Sequence, residues 1–552
     1  MKKRLSRHIS DLAEVFNGQK TVNYQLVNTL IATLLIGLYN DSMWAMLYEV
    51  VGHGSGSALY FYFAFFALAS SIIYTLLTVT AVLPGHKIIL MTVIVTSALA
   101  SYFIEQYGIF IDSDMITNVM QTDSGETLNL ISFGLIANTL IYGVVPSVVI
   151  YRLNIDYGSG FLEYLKKAVM PAVVIALAFA LCLPTYSTFA SVIRNHKEVR
   201  YLMTPSNFIY GFSKAVSRSS KITGPIKHLD DNAKFNESWQ STTANKKPVL
   251  FVFIVGETAR AANFSLSDYA RETNPHLKKQ DIIYYSNMTS CGTSTANSLP
   301  CMFSNDARQD FSGSTSAAKE NLLDLLQNVG LDVFWADNNS GCKGICERVQ
   351  KIALQEDVNL CASQHCYDMA LLQTLEQPSV KDHFIVLHQQ GSHGPPYYEQ
   401  SPDDKKEFFP ECQSSQLQSC TRQEIINAYD NTILYTDFFI SSVIDRLKEL
   451  SDRYYTAMIY VSDHGESLGE RGLYLHAAPY FMAPDEQTHI PMLAWFSDGF
   501  SQHFSIDKEC LLDNAAEPVS HDNLFSSILG LLDIESDTYN EQLDIFKSCT
   551  TS

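Results

Sequence analysis

Val249–Val255 reads VLFVFIV and is followed at once by Gly256-Glu257-Thr258. An unbroken apolar run of that length, rich in β-branched and aromatic residues, fits a strand buried on both faces of a parallel sheet. Comparable strands are predicted at Asp332–Trp335, His383–His388 and Ala457–Val461, with helical patterns between them, notably Lys319–Val329 and Thr421–Leu450. Strands alternating with helices predict an α/β domain whose central, mainly parallel sheet is covered on both faces. Active sites in such sheets lie beyond the carboxyl ends of the strands. That rule selects Glu257 after the first strand, His388 and His393 in HQQGSH, and Asp463, His464 and Glu466 in SDHGE.

Upstream, the chain changes character. Thr21–Asn40, Val50–Gly85, Ile88–Ile104, Thr127–Tyr151 and Ala168–Ile193 contain no Asp, Glu, Lys or Arg. Each reaches or approaches the roughly 20 residues needed to cross a bilayer. Flanking charge alternates. Lys2, Lys3, Arg4 and Arg7, then His86 and Lys87, then Arg152, Lys166 and Lys167 mark one side, whereas the other two loops carry Glu49, Glu105, Asp112, Asp114, Asp123 and Glu126. The positive-inside rule makes the N-terminus cytoplasmic, and five crossings leave everything beyond Ile193 outside. The first apolar run is too long for a cleaved signal peptide, and no small-residue cleavage site follows it. The expected organisation is an all-α five-helix transmembrane domain at 1–193, a linker at 194–247 and an exported domain at 248–552. The linker interleaves Arg194, Lys197, Arg200, Lys214, Arg218, Lys221 and Lys227 with Tyr201, Phe208, Tyr210 and Phe212. Such a segment either lies in the membrane interface, against lipid headgroups, or is a plain solvated connection.

Ten of the eleven cysteines lie beyond residue 290, and only Cys182 falls within an apolar run. An even number on the exported side fits disulfides in an oxidising compartment. Proximity suggests Cys291–Cys301, Cys342–Cys346, Cys361–Cys366 and Cys412–Cys420, leaving Cys510 with Cys549, although connectivity stays open at this level. A cysteine–zinc cluster is the competing reading, and the absence of paired CxxC sets weighs against it. The net charge of −20 argues against a nucleic-acid partner, which needs clustered Lys and Arg.

Glu, Asp and His gathered at strand ends suit zinc, although a lone buried His or an Asp-His pair is more often structural. A nucleophile is available in SCGTSTANSLPC (Ser290–Cys301), which is dense in hydroxyls. Ser or Thr there serves at least as a helix cap. A hydroxyl at a helix N-terminus would also face a site favourable to phosphate.

The motifs GETARAANFSLSDYARETNP, SCGTSTANSLPCMF, WADNNSGCKG, HQQGSHGP, INAYDNT and VSDHGESLGERGLYLH resemble, in order, those of the lipid A phosphoethanolamine transferases, relatives of the mobile colistin-resistance enzymes. The resemblance spans the whole chain and implies an alkaline-phosphatase-like fold for the exported domain. It implies that Glu257, Thr295, Asp463 and His464 hold a zinc ion and that Thr295 is the nucleophile, carrying phosphoethanolamine covalently. It implies that His393 and His476 bind the transferred phosphate or a second zinc, and that Asn339, Lys343, His388 and Glu466 contact donor or acceptor. The implied donor is phosphatidylethanolamine and the implied acceptor a lipid A phosphate, in the inner membrane of a bacterium with the catalytic domain in the periplasm. The enzyme would act as a monomer and confer polymyxin resistance.

Rival readings are a sulfatase, which needs a Cys/Ser-x-Pro-x-Arg site this chain lacks, and a membrane sensor with a dead catalytic domain. A glycerol-phosphate polymerase of the lipoteichoic type is closer, as is transfer of phosphoethanolamine or glycerol phosphate to another envelope glycan or a lipopolysaccharide core sugar.

Overall fold

The computed structural model describes residues 20–122, 124–219, 225–236, 247–354, 360–362, 365–376 and 381–550. Lys2, Lys3, Arg4, Arg7, Asp123 and Lys221 lie outside them. The chain divides into two compact units, one combining residues up to Ile116 with Ile131–Ser213, the other combining Thr117–Leu130 with everything from Lys214.

The first unit is helical. Among the described residues, four helices are long and apolar enough to cross a membrane: Gly56–Thr80, His86–Tyr107, Phe133–Arg152 and Phe161–Asn195. A fifth span exists if the pair Tyr24–Leu38 and Asp41–Val51, bent by 64°, counts as one. The bend has a local cause. The 15 residues of Tyr24–Leu38 cover about 22 Å at 1.5 Å per residue, short of the roughly 30 Å hydrocarbon layer. Asn40 then leaves the helix. Its Nδ2 donates to the carbonyls of Leu35 (2.8 Å) and Thr204 (2.9 Å), and its Oδ1 accepts from the Thr204 amide (2.7 Å). In Phe133–Arg152 a wide turn over Thr139–Val144 precedes Pro146, whose ring nitrogen cannot donate to the helix.

The basic loops meet at one end of this unit. Thr21–Asn23 pairs in parallel with Asn154–Asp156. Lys87 Nζ donates to the carbonyls of Tyr151 and Leu153, and Lys167 Nζ donates to Ala81 O at 3.3 Å while lying over the rings of Tyr24, Tyr157 and Tyr164. This is the clustering expected if alternate loops share one side of a bilayer.

The second unit is built on an eight-stranded sheet. Its strands are β1 (Val249–Gly256), β2 (Ile283–Thr289), β3 (Asp332–Asp337), β4 (Gln350–Ile352), β5 (His383–His388), β6 (Tyr455–Ser462), β7 (His489–Phe496) and β8 (Val519–Ser520), in the order β8-β2-β7-β6-β1-β5-β3-β4. Only β7 runs against its neighbours β6 and β2. Every residue of β1 is buried. Val249, Phe251, Phe253 and Val255 enter one apolar layer with Leu322, Leu326 and Phe303. Leu250, Val252 and Ile254 enter the other with Ile433, Ile440 and Ile444 of the helix Arg422–Leu450. Because the strand is covered on both sides, no polar alternation marks it. Five disulfides join Cys291–Cys301, Cys342–Cys346, Cys361–Cys366, Cys412–Cys420 and Cys510–Cys549, and the free thiol is the buried Cys182.

Candidate active site

The carboxyl ends of six parallel strands open on one edge of the sheet. Glu257 follows β1, the Cys291–Thr295 loop follows β2, Asn339 and Lys343 follow β3, His393 follows β5, Asp463 and His464 follow β6, and His521 follows β8. Thr295 is the first residue of the helix Thr295–Met302, behind Ser294 as its cap. The Cys291–Cys301 bridge closes the segment that contains it. A helix start leaves amide hydrogens without intrahelical partners, which favours an anion there.

Four side chains converge. Thr295 Oγ1 lies 3.2 and 3.1 Å from the two carboxylate oxygens of Glu257 and 3.4 Å from His464 Nε2. His464 Nε2 lies 3.5 Å from Glu257 Oε1 and 3.4 Å from Asp463 Oδ2. All four residues are buried. His464 Nδ1 faces the Gly465 carbonyl at 2.9 Å, so Nδ1 carries the proton and the Nε2 lone pair points inward. Asp463 Oδ2 is buried without a hydrogen-bond partner among the described residues. Burial pushes the Asp463 carboxyl up and, with His476 adding to the effect, holds the His464 imidazole well below its usual range.

This donor set fits zinc. Tetrahedral N and O ligands at about 2.0–2.1 Å from a shared centre stand about 3.3–3.4 Å from one another. The observed donor separations of 3.1 to 3.5 Å bracket that spacing. Two buried carboxylates, a neutral imidazole and an orphaned oxygen are costly together unless a cation joins them.

A second group flanks the first. His476 has its ring 4.6 Å from that of His464 and 5.7 Å from that of His393. Its backbone neighbours Leu475 and Ala477 both take left-handed φ, at 64° and 67°. The Ala477 amide donates to Thr293 O (2.6 Å) and Thr293 Oγ1 donates to Ala478 O (2.6 Å), tying this loop to the segment that carries Thr295. Strain of this kind persists where surrounding contacts over-determine it. Glu466 is fully buried; its Oε2 accepts from His476 Nδ1 at 2.8 Å and its Oε1 from the Tyr397 hydroxyl at 2.5 Å.

Asn339 touches the centre through Glu257. Its Nδ2 donates to Glu257 Oε2 (2.8 Å) and to Gln389 O (2.9 Å). A cavity of about 890 Å³ lies alongside, lined by Ala296, Asn297 and Pro300 of the helix Thr295–Met302 and by Asn339, Lys343 and Arg348. Lys343 has φ +49° and donates to Ser340 O (3.0 Å) and Oγ (2.7 Å), on the loop stapled by Cys342–Cys346. His388 is set apart from the cluster of four. It is fully buried, with Nδ1 3.3 Å from Asp337 Oδ2. Burial would raise Asp337, but the His388 charge and bond, with Trp335 and the Asn339 amide, hold it well below the carboxylate range. Sequence reasoning missed Asp337, Tyr397, Ser298 and His521. None sits in a metal-like pattern, and the strand that delivers His521 is two residues long.

Two family models match the chain: one described as Sulfatase over residues 250–534, and one described as Phosphoethanolamine transferase EptA/EptB over residues 68–219. The chain is 37% identical over 489 residues to phosphoethanolamine transferase EptA of Escherichia coli strain K12, covering 87% of this chain and 89% of that protein. It is 35% identical over 493 residues to phosphatidylethanolamine transferase Mcr-1 of Escherichia coli, covering 85% and 88%. Among solved structures it is similar to the integral membrane protein lipooligosaccharide phosphoethanolamine transferase A (EptA) of Neisseria meningitidis. The TM-score is 0.90 at 37% identity, with 95% of this chain and 99% of that chain covered.

Proposed function

The chain belongs to the phosphoethanolamine transferase family, and on that premise we propose that it moves phosphoethanolamine from phosphatidylethanolamine to a lipid A phosphate through a covalent phospho-threonine. The observation that carries the reading is the convergence of Thr295 Oγ1 with Glu257, Asp463 and His464. Relatives named for phosphatidylethanolamine, for lipooligosaccharide and for Kdo(2)-lipid A support the donor and the acceptor class. The protein is an integral inner-membrane protein with its catalytic unit in the periplasm, where disulfides persist.

Glu257, Thr295, Asp463 and His464 would hold one zinc ion. Bound there, zinc makes the threonine hydroxyl easier to deprotonate and draws charge from the phosphoryl oxygens. Thr295 Oγ1 forms a new bond to the donor phosphorus as the bond from phosphorus to the glycerol oxygen breaks. Diacylglycerol leaves, and the threonine proton ends on its oxygen. His393, His476 and the amides of the first helical turn face the phosphoryl oxygens and stabilise their charge, or the two histidines hold a second zinc. An oxygen of the acceptor phosphate then attacks the phosphorus on Thr295, forms a diphosphate link and releases the threonine hydroxyl, a two-step ping-pong scheme. Lys343, with Asn339 across the same cavity, supplies a positive charge toward the entering phosphates. The added ammonium offsets negative charge on the cell surface, so cationic peptides such as polymyxin bind it less.

Mass spectrometry of lipid A from cells with and without the protein tests the proposal. The expected result is lipid A carrying phosphoethanolamine only when the protein is made. Modification confined to a core sugar or another glycan would replace the acceptor, and an unchanged envelope would overturn the function.

A further inference from the structure

Beyond the side chains at the centre, one buried histidine links three of the segments that build it. His521 is fully buried and follows β8. Its Nδ1 accepts a hydrogen bond from the Cys291 amide at 3.0 Å. Its Nε2 faces the Ser462 carbonyl at 3.0 Å. A carbonyl cannot donate and an amide cannot accept, so the two contacts fix a single tautomer, neutral and protonated at Nε2. Cys291 opens the disulfide-closed segment that carries Thr295, and Ser462 immediately precedes Asp463 and His464. The nucleophile helix is tied to the same strand end a second time. Ser298 Oγ donates to the Asp463 carbonyl and accepts from the Gly292 amide at 3.2 Å, and it lies 3.4 Å from His521 Nδ1.

We propose that His521 is a positioning residue that clamps the Cys291–Cys301 nucleophile segment to the β6 strand end, setting the separation between Thr295 and its partners Asp463 and His464. The inference rests on the transferase reading above. His521 touches neither substrate nor the four converging side chains through its own hydrogen bonds. It acts by holding two backbones in register. Without it, Cys291 and Ser462 keep no shared side-chain partner, and Thr295 Oγ1 is free to drift from the 3.1–3.4 Å spacing it shows with Glu257 and His464. Misplacement of a reacting atom by about 1 Å is enough to slow a reaction on the order of 100-fold.

The test uses the full-length membrane enzyme and three variants. His521→Leu keeps the bulk and loses both bonds, His521→Asn keeps an acceptor near the Nδ1 position, and His521→Gln keeps a donor near the Nε2 position. Burst release of diacylglycerol from phosphatidylethanolamine reads the first half-reaction without an acceptor, so a wrong acceptor does not mask the result. His521→Leu is expected to lower the rate constant on the order of 10–100-fold. The KM for the donor, the zinc content and the thermal midpoint are expected to change little, and the Asn and Gln variants to recover part of the rate. Full activity in His521→Leu, or a loss matched by lost zinc or lost folded protein with no rescue, overturns the clamp. Failure of the wild type to release diacylglycerol would instead sink the transferase reading. In that event the structure of His521→Leu decides: a Thr295 Oγ1 unmoved from Glu257 and His464 overturns the clamp, and a displaced one supports it.

Discussion

Asn339 Nδ2 donates to Glu257 Oε2 at 2.8 Å, holding from behind the carboxylate whose oxygens stand beside Thr295 Oγ1. The second hydrogen of that amide goes to Gln389 O, and its Oδ1 accepts from the Ser340 amide at 2.5 Å and hydroxyl at 3.1 Å. With its donors and acceptor committed inside the protein, Asn339 acts chiefly on Glu257. Asn339→Ala is expected to weaken metal binding by about 10–100-fold, as loss of a ligand's outer partner does. Competition with a zinc chelator measures it. A variant with unchanged zinc affinity and a raised KM would show a substrate contact instead.

In the proposed scheme Thr295 Oγ1 forms the covalent bond, and Thr295→Ala removes that atom. Transfer is expected to fall by at least about 10³-fold, toward the roughly 10⁶-fold loss seen when a nucleophile is deleted. The fold should remain, because the Cys291–Cys301 bridge still closes the segment and Ser298 still ties the helix to the Asp463 carbonyl and the Gly292 amide. Thr295→Ser keeps the hydroxyl and is expected to retain measurable turnover and to trap phosphoethanolamine on residue 295, visible by peptide mass spectrometry. Wild-type rates in the Ala variant would remove Thr295 from the chemistry.

How much of this was legible beforehand follows from what each residue looks like in one dimension. β1 and the centres of β5 (FIVL) and β6 (AMIYV) are uninterrupted apolar runs, so both the strands and the polar residues at their ends could be read off directly. β2 was not, because IYYSNMT mixes burial with exposed Ser286 and Asn287, and β8 is too short to have a period. The broken first span was not legible either. Asn40 looks like the end of an apolar run, and its capping of Thr204 depends on a contact 164 residues away. Tyr397 and His521 act through partners that are distant in sequence, which no spacing rule reports.

Chelation of the purified enzyme should do more than stop turnover. Without a cation, Glu257 and Asp463 face each other across a buried space with His464 neutral between them. A ligand present at about 1,000 times its Kd stabilises the folded state by about 4 kcal/mol, and stripping it forfeits that. The thermal midpoint is therefore expected to drop on chelation and to return, with activity, when zinc is restored. Full turnover after metal analysis reads zero would exclude the metal from the reaction.

Asp430 joins parts of two sequence motifs. This fully buried carboxylate accepts from Asn263 Nδ2 (2.5 Å), the Tyr269 hydroxyl (2.9 Å) and Arg271 Nη1 (2.7 Å), so residues of ANFSLSDYARETNP close on the helix that carries INAYDNT. Arg271 is partly exposed and can turn to water, but deleting the carboxylate leaves the buried Asn263 amide without that acceptor, a cost of about 1–3 kcal/mol. Asp430→Ala is expected to lower stability by that amount in urea unfolding while leaving the rate per folded, zinc-bound molecule near wild type. A selective loss of rate at full stability would mean that the network serves the reaction itself.

Tyr397, Glu466 and His476 form a chain that ends beside His464. Tyr397 donates to one oxygen of Glu466, and the other accepts from His476 Nδ1, which fixes the imidazole proton on that nitrogen. Burial and the adjacent Glu466 carboxylate raise the Tyr397 phenol well above its usual range, so it remains a donor throughout the working pH range. Tyr397→Phe keeps the ring packed against Tyr429 but leaves a buried carboxylate oxygen unsatisfied, a penalty of about 1–3 kcal/mol. If His476 faces the phosphoryl oxygens, part of that penalty appears in catalysis, because Glu466 can then move and carry the imidazole with it. The expectation is a lower rate constant with the donor KM nearly constant, and a larger loss of the same kind for Glu466→Gln, whose amide pairs less strongly with an imidazole N–H. Steady-state kinetics on both variants, corrected for zinc content, checks this. An effect on KM alone would make Glu466 a substrate contact and would detach His476 from the transfer step.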